Sequence, residues 1–326
     1  MTGRSPAAIR WSEAAQWGAG LFLFGVVPLL GKSYFVTMAN EMLAMGLFAM
    51  AFNLLYGVTG MLSFGQAAYY GVGGYAVGLL LSGGAVPFAV ALCAAPLAGG
   101  ILALLLGPLC IRLTGVYFTM LTLAFAEMVW AVVFKWYDFT GGDNGIQGIP
   151  IPDILRDPLR YYYFTLAVVF VCLWSLRKIV ESPFGAVLQS IRENQERVGF
   201  LGVHVRRYQL AAMVLSGAFA GLAGGLFAGY QRSIHPDMLH WTKSGEVILM
   251  SILGGASSFF GPMVGAVVIL FIEDMIGKYT EFWEICIGGI MLAIVLFFPR
   301  GVIGTLGAWM ENSRRGDGAR HEASPP

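Results

Sequence analysis

The chain has 326 residues, of which 57% are hydrophobic and only 12% are charged, and its formal net charge is +1. Soluble domains carry about 25% charged residues, so this composition excludes a water-soluble globule, and it also excludes a disordered chain. The small net charge leaves no basic surface for a nucleic-acid partner. The stretch from Met42 to Ile111 contains no Asp, Glu, Lys or Arg, which is enough for about three bilayer crossings at about 20 residues each. The composition therefore predicts a polytopic membrane protein.

Apolar runs separated by polar, Gly-rich or Pro-containing breaks predict an all-α fold with about ten transmembrane helices. The predicted spans are 15–31, 37–56, 66–82, 86–111, 115–137, 161–177, 208–230, 243–256, 261–277 and 282–299. Barrel strands are excluded, because they are about ten residues long with an alternating pattern. The first run lacks a small-residue cleavage site, so we interpret it as a retained helix and not as a signal peptide.

The distribution of basic residues predicts the orientation. Ten crossings place both termini on one side, and thirteen of the twenty Lys and Arg residues fall on that side. The positive-inside rule assigns it to the cytoplasm. Residues 1–14 are then a cytoplasmic N-terminus, 15–304 the transmembrane domain with an inner loop at 178–207 and an outer loop at 138–160, and 305–326 a cytoplasmic tail that we expect to be disordered.

The inner loop is predicted to contain a short amphipathic helix. Ser182 is a favourable N-cap, and Pro183 suits the first helical position. Apolar residues then recur at i, i+3, i+4 and i+7 and form one stripe: Phe184, Val187, Leu188 and Ile191. The opposite face is polar: Gln189, Arg192, Glu193 and Glu196. We expect this helix to lie on the cytoplasmic surface.

The outer loop has a different composition, with the sequence TGGDNGIQGIPIPD from Thr140 to Asp153. The spacing of its glycines and prolines is unfavourable for a helix and predicts a string of turns.

Three glycine-rich stretches predict special packing or special backbone. Gly217, Gly221, Gly225 and Gly229 recur every four residues, which favours close helix packing over a substrate groove. The segments 57–65 and 254–261 each place glycines and a Ser-Phe pair beside apolar spans. They are either broken helices beside a transport path or plain hairpins. If they are broken helices, the path runs beside them and not through the 217–229 face.

Glu127 is the ionisable residue best placed inside a predicted span. A charge there costs about 2.5–3.5 kcal/mol at the helix centre, so it defaults to a functional candidate. Thr119 and Thr122 share its half of the helix, and a structural hydrogen bond to a neighbouring helix is an equal alternative. H-E-x-x-H and G-x-S-x-G patterns are absent from the sequence. We therefore expect no catalytic residues, no metal site and no cofactor.

Several blocks of sequence resemble the permease subunits of branched-chain amino acid ABC transporters. In chain order they are NLLYG (53–57), GMLSFGQAAYYGVGGYA (60–76), RLTGVYFTMLTLAFAEM (112–128), TGGDNGIQGIP (140–150), SPFGAVLQSIRENQERVGFLGVHVRRYQL (182–210), ILGGASSFFGPMVGA (252–266) and FFPRGVIG (297–304). They cover about residues 38–304, and the outer TGG-NG-GIP loop is similar to that of the LivM-type subunit.

This resemblance implies a bacterial inner-membrane importer with defined partners. These are a second, LivH-like permease, two cytoplasmic ATPases that would hydrolyse ATP in place of this chain, a periplasmic substrate-binding protein and the surrounding lipid. Branched-chain amino acids are the implied substrates, with urea, amides or aromatic acids as alternatives. A self-contained secondary transporter is a further alternative that the spans alone would allow.

The resemblance also implies roles for particular residues. In such importers a cytoplasmic helix docks into a groove of the ATPase, which corresponds here to residues 184–201. The candidate coupling residues are Phe184, Leu188, Ile191, Arg192, Glu193 and Gly202. The candidate residues of the translocation path are Asn53, Ser63, Gln66, Thr122, Glu127 and Ser258.

Overall fold

The computed structural model describes residues 33–84 and 86–278, together with Ile285, Gly288 and Gly289. The predicted span 15–31 lies outside the described residues, as do both predicted terminal segments. The predicted span 282–299 also lies outside them, apart from those three single residues.

The described part of the chain is helical, as the hydropathy pattern predicts. Its helices are α1 (Ser33–Asn53), α2 (Gln66–Ser82), α3 (Phe88–Cys110), α4 (Val116–Lys135), α5 (Tyr137–Thr140), α6 (Pro158–Glu181), α7 (Pro183–Glu193), α8 (Gln195–Phe200), α9 (Val205–Gln231), α10 (Trp241–Gly254) and α11 (Gly261–Gly277). A π-helix, Leu54–Val58, continues α1. Each predicted span within the described ranges corresponds to one of these helices.

Five of the described helical segments are long and apolar enough to cross a bilayer. They are Tyr34–Val58, Phe88–Cys110, Val116–Lys135, Pro158–Glu181 and Val205–Gln231. The chain is therefore a multi-pass, all-α membrane protein.

The two ends of the helix bundle differ in structure. At one end, which we call the α7 end, α7 packs on the π-helix that continues α1, and α8 follows α7. At the other end, the sheet end, β1 (Ile146–Gln147) pairs antiparallel with β2 (Ser233–Ile234). The loop 138–160 also contains most of α5 and two 3₁₀ turns. It therefore consists only in part of the simple turns that the sequence predicts. The sequence pattern did not predict this strand pair, because β2 lies in a loop far along the chain from β1.

Helix α9 is at the centre of the bundle and packs against α2 and α3 without intervening side chains. A Cβ at Gly224 would lie 1.9 Å from the Tyr70 carbonyl oxygen, and one at Gly221 would lie 2.5 Å from that of Ala95. From the other side, a Cβ at Gly99 would lie 2.3 Å from the Gly217 carbonyl oxygen. The contacts of Gly217 and Gly221, which belong to the predicted glycine stripe, confirm its close packing there.

Three of the described helices, α2, α10 and α11, are shorter than the hydrocarbon core of a bilayer. With 14 residues, α10 is about 21 Å long, against a hydrocarbon core of about 30 Å. It forms an antiparallel hairpin with α11, in which a Cβ at Gly265 would lie 1.8 Å from the Met250 carbonyl oxygen. The 17-residue α2 begins beside Ser216, near the middle of α9. Helices α2 and α10 each have one end inside the bundle, because α2 begins beside Ser216 of α9 and α10 begins beside Glu127 of α4.

Candidate functional site

The backbone between the π-helix and α2 is irregular, and side chains of neighbouring helices satisfy its polar groups. We call this segment, Thr59–Gly65, the break. Thr119 Oγ1 of α4 donates a hydrogen bond to the Leu62 carbonyl at 2.9 Å. The Phe64 amide donates to Thr122 Oγ1 at 3.2 Å. Non-helical backbone at membrane depth is tolerated where protein groups bond it in this way.

Ser244 of α10 supports the same segment from the opposite side. Its hydroxyl donates to the Phe64 carbonyl at 2.7 Å and accepts from the Ala67 amide at 2.9 Å. One side chain thus bonds both sides of the point where α2 begins. Sequence reasoning missed Ser244, because a single serine in an apolar helix carries no pattern. The break is consequently held between α4 and α10.

A buried polar layer lies around the break. Ser63, Gln66 and Thr122 are only 0%, 0% and 1% exposed. Ser216 Oγ lies 2.6 Å from the Ala51 carbonyl oxygen and 3.3 Å from Gln66 Oε1. Within the described part of the chain, Gln66 Nε2 is buried without a hydrogen-bond partner. In this conformation the layer is closed to water while keeping an unused donor.

Asn53 is the last residue of α1, directly before the π-helix, and is also buried. Its Oδ1 has no hydrogen-bond partner among the residues that the structure describes. A Cβ at Gly57 would lie 2.2 Å from this oxygen, so the amide is held against the π-helix. The structure thus adds a second unused polar group, an acceptor, on the side of the break nearer the α7 end.

Ser258 lies in the turn between α10 and α11 and is half-buried. Its amide donates to the Gly255 carbonyl at 3.0 Å, and Gly255 has a φ of 98°, which favours glycine. The segment 254–261 is therefore the turn of a tight helical hairpin, whereas the segment 57–65 contains the end of the π-helix and the break. The two segments touch, since a Cβ at Gly57 would lie 2.5 Å from the Ala256 carbonyl oxygen.

Glu127 lies apart from the polar layer, at the first turn of α10. Its Oε1 accepts from the Trp241 amide at 3.2 Å and lies 4.0 Å from His240 Nε2. A carboxylate at a helix N-terminus is favourable, because the helix dipole is positive there and the first amides lack helical partners. This contact corresponds to the alternative in which Glu127 makes a structural hydrogen bond to a neighbouring helix.

We expect Glu127→Leu to lower the stability of the chain, because it leaves the Trp241 amide without its acceptor. A lost hydrogen bond to a charged group costs about 1.5–3 kcal/mol. Glu127→Gln keeps an acceptor oxygen and should lose less. Thermal unfolding of the purified chain in detergent measures both variants. Equal melting temperatures for Glu127→Leu and the unmodified chain would contradict the capping role.

Helix α7 begins where the sequence predicts. The Ser182 hydroxyl accepts from the Gly185 amide, and Pro183 is the first helical residue. Leu188 and Ile191 are 0% and 4% exposed, and Phe184 stacks on Tyr208 of α9 with ring centroids 5.6 Å apart. The apolar stripe therefore packs on the chain's own bundle.

The polar coupling candidates have different environments. Arg192 donates a hydrogen bond from Nη1 to the Gly57 carbonyl and so reaches the π-helix. Glu193 is exposed, and Gly202 has a φ of 84° in the turn after α8. Glu193 also borders a groove of about 820 Å³ that is lined by residues including Thr114, Asn194, Glu196, Arg206 and Arg207.

Two apolar side chains at the α7 end face solvent. Phe200 and Leu201, at the end of α8, are 90% and 79% exposed. Sequence analysis included them in the range 184–201 but did not single them out, because two adjacent apolar residues form no helical stripe. Exposed apolar surface that lipid does not cover is a candidate interaction site.

These features define a class of protein. An apolar helical bundle with an internal break, supported by neighbouring side chains, is typical of membrane transport proteins. The chain belongs to the family of permease components of branched-chain amino acid transport systems, whose model matches residues 34–295.

Individual relatives agree with this membership. The chain is 28% identical over 295 aligned residues to the high-affinity branched-chain amino acid transport system permease protein LivM of Escherichia coli, covering 82% of this chain and 68% of that protein. It is 26% identical over 286 residues to the probable branched-chain amino acid transport permease protein LivH of Methanocaldococcus jannaschii, covering 79% and 88%. No solved structure matches the chain.

Proposed function

We propose that this chain is one of two transmembrane permeases of an ATP-driven importer for branched-chain amino acids. It would work in a bacterial inner membrane with a LivH-like permease, two cytoplasmic ATPases and a periplasmic binding protein. The break in a chain of this family carries the proposal, because its buried layer keeps unused polar groups at membrane depth. Ten crossings, with both termini and α7 on the cytoplasmic side, agree with the distribution of basic residues.

The translocation path would run beside the break. Ser63, Gln66 and Thr122, which are buried, would form its closed middle, and the buried Asn53 would line it beside the π-helix. The polar ends of an amino acid need hydrogen-bonding groups in the bilayer, and Gln66 Nε2 and Asn53 Oδ1 can supply a donor and an acceptor. Ser258 would flank the path through the hairpin, and Glu127 would act on it only through α10. The 217–229 face is unsuitable, because backbone of α3 fills it at Gly217 and Gly221 and neighbouring side chains fill it at Gly225 and Gly229.

Coupling to the ATPases would use the outer surface of α7 and α8. Leu188 and Ile191, which pack inward, would hold α7 on the bundle. Glu193, Phe200, Leu201 and Gly202 would face the ATPase groove. This arrangement needs no catalytic group in the permease itself.

Reconstitution of the full complex tests the function. We expect ATP-dependent uptake of radiolabelled leucine into proteoliposomes that contain both permeases and the ATPases, when the binding protein is present. Uptake of urea, an amide or an aromatic acid in place of leucine would support the alternative substrates. Uptake by this chain alone, driven by an ion gradient without ATPase, would favour a secondary transporter and contradict the proposal.

Cysteine labelling tests the path. Ser63→Cys, in a chain without its four native cysteines, should react slowly with a polar thiol reagent at rest, because position 63 is fully buried. During ATP-driven turnover the break should open and labelling should become several-fold faster. Ala220→Cys in α9, which is equally buried, is the control and should stay unlabelled. Equal labelling of the two positions during turnover would contradict the assignment.

A further inference from the structure

The side chain of Arg192 lies where α7 meets the end of the π-helix. It belongs to the last turn of α7, and its Nη1 donates a hydrogen bond to the Gly57 carbonyl of the π-helix. It therefore bonds a residue 135 positions earlier in the chain. One residue of the polar face that the sequence predicts for α7 therefore contacts the bundle.

The carbonyl that Arg192 contacts belongs to a helix end. The last carbonyls of a helix lack helical partners and carry the negative end of the dipole, which favours a cation there. Other carbonyls of this end are bonded locally: the Thr59 hydroxyl donates to Leu54 at 2.9 Å, and the Met61 amide to Leu55 at 2.9 Å. Arg192 provides the Gly57 carbonyl with a partner from another element.

Glycines at positions 57 and 60 permit two close contacts of this helix end, one with Arg192 and one with the α10–α11 turn. Gly60 has a φ of 78°, and a Cβ there would lie 2.9 Å from Arg192 Cγ. A Cβ at Gly57 would lie 2.5 Å from the Ala256 carbonyl oxygen. Arg192 therefore contacts the end of the π-helix and the start of the break, and the π-helix in turn contacts the α10–α11 turn.

We propose that Arg192 is a positioning residue that transmits movement of α7 and α8 to the break. Movement of α7 by the ATPases would pull or release the Gly57 carbonyl and so change the position of Thr59–Gly65, where the buried polar layer closes the path. This inference rests on the proposed function, but it gives Arg192 an inward role in place of a direct contact with the ATPase.

The test compares uptake with ATP hydrolysis in the reconstituted complex. Arg192→Gln should leave copurification of the ATPases and ATP hydrolysis near the unmodified level. Radiolabelled leucine uptake per ATP hydrolysed should fall about tenfold, which corresponds to about 1.4 kcal/mol. Arg192→Lys, which keeps the cation, should restore part of this ratio. Arg112→Gln, an exposed arginine at the same end and outside α7 and α8, is the matched control.

The remaining outcomes would contradict either the role of Arg192 or the proposed function. Loss of the ATPases from Arg192→Gln, or an unchanged ratio, would overturn the inference. If that variant does not assemble, Gly60→Ala, which displaces the arginine without removing its charge, should lower the same ratio. Failure of both variants to assemble would make Arg192 a structural residue and also overturn the inference. Absence of uptake by the unmodified complex would count against the proposed function instead.

Discussion

Gly224→Ala is expected to destabilise the bundle more than most single substitutions. The added Cβ would lie 1.9 Å from the Tyr70 carbonyl oxygen, and this is backbone that cannot rotate away as a side chain can. Overpacking of a filled core costs about 1–3 kcal/mol, and a backbone clash belongs at the upper end of this range. Thermal unfolding of the purified chain in detergent, followed by size-exclusion chromatography, measures the effect.

The matched control lies in the neighbouring interface between α3 and α9. Gly100→Ala on α3 places its Cβ 3.6 Å from the Ala218 Cβ, which is ordinary van der Waals contact. This variant should unfold at nearly the same temperature as the unmodified chain. Should Gly224→Ala be as stable as Gly100→Ala, α2 and α9 would be farther apart than the structure places them.

Replacing both Phe200 and Leu201 by Ala is expected to weaken binding of the ATPases. Both side chains are almost fully exposed in the isolated chain, so their removal should not disturb the bundle. Buried aromatic anchors at interfaces contribute about 2 kcal/mol or more, which is roughly a thirtyfold change in affinity. ATPase copurification, binding-protein-stimulated ATP hydrolysis and leucine uptake should therefore fall together, unlike the effect expected for Arg192→Gln.

Leu113→Ala controls for the loss of exposed apolar surface. Leu113 is 42% exposed in the turn between α3 and α4, outside α7 and α8. It should leave ATPase copurification unchanged. Full ATPase binding by the Phe200 and Leu201 double variant would show that the end of α8 is not part of the interface, and the coupling surface would have to be sought along Glu193 and the adjoining groove.

The local features of the chain were predictable from its sequence. Continuous apolar runs determine helices whatever their neighbours are, and α2 and α11 have the predicted ends at residues 66, 82, 261 and 277. The start of α7 at Ser182 was also predictable, since a serine N-cap followed by proline depends only on adjacent residues. The glycine stripe of α9 predicted close packing because it leaves one helix face without side chains.

The tertiary structure alone decided which groups meet. Hydropathy cannot distinguish a break from a hairpin, because both need glycines between apolar runs. The difference depends on Ser244, Thr119 and Thr122, which bond the break from helices distant in sequence. The packing of the apolar face of α7 on the bundle and the hydrogen bond from Arg192 to the Gly57 carbonyl are likewise long-range contacts. The sequence by itself thus determined a multi-pass helical membrane protein, because periodicity and hydropathy are local, and its resemblance to a known family indicated a permease. Only the folded chain decided where its polar groups converge, because that depends on packing between distant segments.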